Sequence, residues 1–129
     1  MGIVPHPFNW NLGWLLVLAA FLTGALMGLG FHREEFLGGY NSFARRLLRL
    51  GHIALAALGM MNVLFSLSPW PVPGTFPSSA ASVCFAAGGV TMPAVCFLTA
   101  WHGGFRHLFA IPVVSLLLAV IFTWLGGAS

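Results

Sequence analysis

Four of the five histidines in this chain fall in or beside the stretches that carry its charge: His32, His52, His102 and His107. Neutral imidazole is the commonest ligand for transition metals and also holds b-type haem iron. His52 with His102 or His107 could hold a haem b or a metal between helices. Arg45, Arg49 or Arg106 would then pair with the haem propionates. The plainer role for these arginines is contact with lipid headgroups, and for these histidines hydrogen bonding at a membrane boundary. Copper(I) would draw on Met60, Met61, Met92, Cys84 and Cys96, but their spacing is not compact. Such residues also fill gaps between helices. No catalytic residues are assigned. The only acids, Glu34 and Glu35, are adjacent in the sequence and cannot form a glycosidase-like pair. They are expected to pair with nearby arginines. No phosphate loop, nucleophile elbow or zinc-protease motif occurs.

The elements that must position these residues follow from composition. Of 129 residues, 59% are hydrophobic and 5% are charged. A soluble domain carries about a quarter charged residues. Lipid must therefore be much of the solvent. The chain reads as one domain, 1–129, with apolar runs at about 12–30, 48–67, 80–101 and 108–125. Each is close to the roughly 20 residues that cross a bilayer. The first run is read as a retained span, because no basic segment precedes it.

Details within the runs predict how they pack. Asn9 or Asn11 is expected to cap the first helix, with Trp10 and Trp14 in the interfacial belt. Ala20, Gly24 and Gly28 form a stripe of small residues, which lets a second helix approach closely. Ser42 is a good cap for the second helix, where Arg45, Arg49 and His52 share a face. Asn62 lies in mid-span and needs partners, with Thr91 and Ser115 as candidates. The prolines of 69–79 cannot continue a helix. Pro93 frees the Gly89 carbonyl, and Thr91 is a candidate to satisfy it.

All seven charged side chains lie in two stretches, Arg33 to Arg49 and Arg106 alone. Arginine-rich short loops stay in the cytoplasm. Loops 31–47 and 102–107 are therefore expected inside, with both termini and the proline-rich segment outside. The expected fold is all-α and polytopic: four transmembrane helices in an antiparallel up-down bundle of the bacterial cytoplasmic (inner) membrane. Nucleic acid is excluded as a partner, because no basic stripe lies on a soluble face. The outer half is left with proline, tryptophan and apolar residues. A site is therefore expected at the cytoplasmic boundary, around His52 and Arg49.

The stretch GGFRHL at 103–108 resembles the G-x-R-H stretch of the haem-anchoring subunit of succinate dehydrogenase. That resemblance implies a haem-ligating histidine at position 100, where this chain has Ala100. It covers six residues and is treated as chance. Three functions are consistent with the sequence. The first is an accessory, structural or assembly subunit of a larger membrane complex, respiratory or photosynthetic, with other membrane subunits or a second copy as partner. The second is a small b-type haem or quinone-site electron-transfer module. The third is a small oligomeric transporter or channel.

Overall fold

A computed structural model describes residues 4–128. The described residues form four long helices and no strand. They are α1 (Pro7–Phe31), α2 (Phe43–Leu67), α3 (Phe76–Trp101) and α4 (Ala110–Gly127). A 3₁₀ segment, Gly103–Phe109, leads into α4. All four spans are long and apolar enough to cross a membrane. At about 1.5 Å per residue, the 25 or 26 residues of α1, α2 and α3 exceed the roughly 30 Å hydrocarbon layer, and α4 does so together with its 3₁₀ lead. This explains why α1, α2 and α3 begin about five residues before the apolar runs. Hydropathy marks the hydrocarbon crossing, whereas backbone hydrogen bonding continues the helix into the headgroup layer.

Local chemistry fixes the ends. Ser42 caps α2 as expected, its Oγ accepting the Arg45 backbone N–H at 3.2 Å. Between α1 and α2 the chain turns through three successive residues of positive φ: Leu37, Gly38 and Gly39. Glycine adopts that region without steric cost, but Leu37 does not. The start of α1 differs from expectation. Pro7 opens the helix, His6 stands at the cap position, and Asn9 lies inside the first turn. Proline has its φ already set for a first helical position and has no N–H to leave unpaired. Neither Asn9 nor Asn11 is therefore the cap.

The inner pair is α2 and α3. α1 lies mainly against α2 and touches α3, while α4 lies against α3. Contacts pair Gly13 with Gly59, and Gly24 with His52. They also pair Gly51 with Phe97, and Gly88 with Leu116. Two apolar clusters fill the interior. One gathers Phe65, Ala81, Phe85 and Ala119, and the other gathers Leu16, Ala20 and Leu55.

α1 and α2 touch through their backbones. A Cβ on Gly13 would stand 2.7 Å from the Gly59 carbonyl oxygen. One on Gly59 would stand 2.9 Å from the Gly13 oxygen. The expected small-residue stripe is only partly used. Ala20 is buried and Gly24 lies under His52, but Gly28 faces open space. Gly13, outside the predicted stripe, makes the closer approach.

Asn9 and Asn62 are both 0% exposed. The Asn9 amide donates to Asn62 Oδ1 at 2.8 Å and to the Ser82 carbonyl at 3.1 Å. Ser82 Oγ donates in return to Asn9 Oδ1. The Asn62 amide donates to the carbonyls of Leu58 at 2.9 Å and Phe85 at 3.2 Å. The partners expected for Asn62, Thr91 and Ser115, are not the ones used. Thr91 instead donates to the Ala87 carbonyl of its own helix at 2.6 Å. It also does not satisfy Gly89.

Two measurements test this packing. Gly59→Ala is expected to cost about 1–3 kcal/mol, because the added methyl meets fixed backbone. Gly28→Ala should cost nothing and can raise stability by up to about 1 kcal/mol, since the methyl meets open space and alanine favours the helix. Reversible unfolding in mixed micelles compares them. Asn9→Ala strips a buried partner from Asn62 and should cost about 1–3 kcal/mol in the same assay. In a double-mutant cycle with Asn62→Ala the two losses should be clearly non-additive.

Candidate functional site

His52 is placed by the faces of α2. Gly51, one position earlier, packs against Phe97 and Cys96 of α3. The next residue is rotated by about 100° on a helix of 3.6 residues per turn, which carries His52 toward α1. Its ring rests on Gly24, where an added Cβ would stand 2.8 Å from Cε1. Only a residue without a Cβ leaves room for the imidazole there.

Thr23 fixes the ring from the side, with Oγ1 3.2 Å from His52 Nδ1. A threonine hydroxyl has one hydrogen. That hydrogen is engaged by α1's own backbone, at 2.8 Å from the Ala19 carbonyl and 3.1 Å from that of Ala20. While that hydrogen is so held, Oγ1 can only accept, from Nδ1–H, and a neutral imidazole then carries its lone pair on Nε2. The imidazole forms part of the wall of a cavity of about 520 Å³ between α1 and α2, shared with Val17, Phe21, Ala25 and Met60. Every lining side chain except His52 is apolar.

The other histidines expected to join His52 lie elsewhere. His102 follows the end of α3, exposed, with its ring edge-on to Phe105 at 6.0 Å. His107 is exposed in the 3₁₀ segment. Among the described residues, no group of three or more His, Cys, Asp or Glu side chains gathers to hold a metal. His52 faces α1, whereas His102 and His107 belong to the α3–α4 connection.

The arginines also divide. Arg45, expected at lipid headgroups or propionates, is 3% exposed. Its Nε donates to the Phe36 carbonyl at 2.5 Å. Its Nη2 donates to the carbonyls of Arg33 and Glu34. The guanidinium lies 4.8 Å above the Phe31 ring. Glu34 thus meets Arg45 through its backbone, not its carboxylate. Arg49 donates to the Tyr40 carbonyl at 3.0 Å and lies 4.5 Å over the Tyr40 ring. These two side chains fasten the turn between α1 and α2. Arg46 and Arg106 are exposed.

Polar chemistry also occupies the proline-rich end, which the sequence reading left apolar. His6 is 7% exposed and stacks on Phe65 at 4.5 Å between ring centroids. Its backbone N–H donates to the Ser66 carbonyl at 3.3 Å. Nε2 is buried without a hydrogen-bond partner. A small cavity of about 210 Å³ lies beside it, lined in part by Asn9, Ser78 and Ser82. The missed signal was the pairing of Asn9 with Asn62. One amide in each of two spans reads as two unrelated polar residues until the helices are set side by side.

No family model, no curated protein and no solved structure matches the chain.

Burial pushes the His6 pKa below its ordinary value of 6.5. A released segment would titrate near that ordinary value, so it binds more protons than the packed one in this range. The His6 contribution is therefore full above about pH 6.5 and declines as pH falls toward the packed-state pKa. Thermal midpoints in detergent between pH 7.5 and 5 should fall for the native chain. For His6→Phe, which keeps the stacking on Phe65, this part of the decline should vanish.

Proposed function

We propose that this is a four-span protein of the bacterial cytoplasmic membrane that works as an accessory subunit of a larger membrane complex. Its helices run alternately up and down, with both termini extracytoplasmic. Loops 31–47 and 102–107 are cytoplasmic. Four of the five arginines lie in those loops and Arg49 two residues beyond the first, and no lysine or arginine lies in the other segments, which supports that orientation.

The observation that carries the reading is the direction in which the site opens. The contacts among α1, α2 and α3 are closed by glycine backbones and by an amide pair whose hydrogens are all engaged. The apolar groove at His52, with one fixed polar side chain in its wall, lies between α1 and α2. α1 itself buries only 17% of its apolar stretch, against 44% for α2 and for α3. A groove on this flank is reached sideways from the bilayer. It suits a guest that arrives within the membrane, and it does not suit passage of a solute from one side to the other. Small residues on its floor admit a close approach by a neighbouring helix.

A second reading is favoured by the hydrogen-bond geometry of His52. A histidine committed through Nδ1–H, with a lone pair left at Nε2, is a defined acceptor in an otherwise apolar groove. A quinone-site module would use such an atom.

Both orientation and partnership are open to measurement. A C-terminal green fluorescent reporter should stay dark, and a C-terminal alkaline phosphatase should be active. A bright fluorescent fusion contradicts the topology. A photoreactive residue at Phe21, 74% exposed beside the groove, should cross-link to a larger subunit on a native gel after mild solubilisation. Cross-links to lipid alone, with the protein migrating by itself, contradict the subunit reading.

A further inference from the structure

We propose that the α1–α2 groove binds an uncharged, lipid-soluble hydroquinone or related phenol, and that Thr23 makes the groove select this reduced form over the quinone. The inference deepens the quinone-site reading and rests on it.

The argument starts from the lining. His52 supplies the one polar side chain, and no cation or other donor shares the groove. A phospholipid phosphate needs donors and would meet an imidazole lone pair instead. A charged guest would pay a desolvation cost that nothing in the groove offsets. The guest must therefore be neutral and apolar over most of its surface, with a donor at one point.

Depth and shape agree with an amphiphile of this kind. His52 is nine residues into α2 from Phe43, a rise of about 13 Å, which takes it past the headgroup layer. From there the groove runs along Ala20, Val17 and Met60 toward mid-span, over a floor of small residues. A cavity of about 520 Å³ accommodates a ring and the start of an apolar tail. Phe21 provides an aromatic wall.

Selectivity follows from proton inventory. A hydroquinone O–H can donate to the Nε2 lone pair. A quinone has only carbonyl acceptors, and two acceptors facing each other form no bond. Nε2 could serve a quinone if the imidazole carried its hydrogen there. Thr23 prevents this, because its own hydrogen is held by the Ala19 carbonyl and its oxygen draws Nδ1–H. Thr23 is thus a positioning residue that acts on the guest through the tautomer of His52.

The experiment uses the full chain in phosphatidylcholine nanodiscs, with a short-chain benzohydroquinone kept reduced under argon and the matching quinone as probes. Binding is followed by titration, and the tautomer by ¹⁵N chemical shifts of labelled histidine. The native chain should show Nδ1–H at His52 and prefer the hydroquinone by about tenfold, the scale of one neutral hydrogen bond. Thr23→Val should bring the two affinities within about twofold and release the tautomer. His52→Phe should retain the helical fold and lose the hydroquinone preference. Equal binding of both forms by the native chain, binding of neither, or an Nε2–H tautomer overturns the proposal. If neither probe binds while the Phe21 cross-link to a larger subunit persists, the hydroquinone inference fails and the subunit reading stands.

Discussion

A carboxamide in hydrocarbon has no water to bind, so its hydrogens must be engaged by the protein itself. The arrangement of α1, α2 and α3 answers that requirement for Asn9 and Asn62. One amide bonds the other, and each also reaches a carbonyl of α3, at Ser82 and Phe85. Three helices are thereby held in one rotational setting. Apolar packing alone is weakly directional, because lipid tails are as apolar as leucine. The amide pair supplies the register that the apolar faces leave undefined. The Gly13–Gly59 approach lies on the same α1–α2 seam. The His52 groove is what remains where that seam opens beyond its closest point.

Much of this fold was legible from composition. Apolar runs of about 20 residues with few charges have few other physical solutions in a bilayer. Ser42 was readable as a cap because a hydroxyl before a helix has a local job, independent of tertiary contacts. The site was less legible. His52 could be singled out as an ionisable group within a span, but its neighbour could not. Whether it faces α3 or α1 depends on which side of α2 each helix takes, and this is decided by Gly51, against the side chains of Phe97 and Cys96, and by Gly59, against the backbone of Gly13. Glycine in a membrane helix is common enough that the sequence does not say which glycines are contacts. Gly28 and Gly13 show both outcomes.

The polar cluster at the proline-rich end was hard to read for a similar reason. Charge marks the arginine end, since charges are the costliest groups in a membrane. Apart from Arg45 at the α1–α2 turn, the buried polar side chains among the described residues are neutral in kind: two amides, several hydroxyls and His6. Neutral groups do not mark topology, so they leave no trace in a charge pattern. Their partners lie on other helices, as far apart in sequence as Asn9 and Ser82.

The Arg45 clamp joins two stages in the life of the chain. During insertion its positive charge counts toward the side on which the first loop is retained, and any basic residue would serve. After folding, that charge is withdrawn among the carbonyls of Arg33, Glu34 and Phe36, where a planar fork of donors is required. One residue thus carries both a charge of the kind that retains a loop and the fork of donors that closes this turn. All of its partners lie within that hairpin, so the clamp needs nothing from α3 or α4.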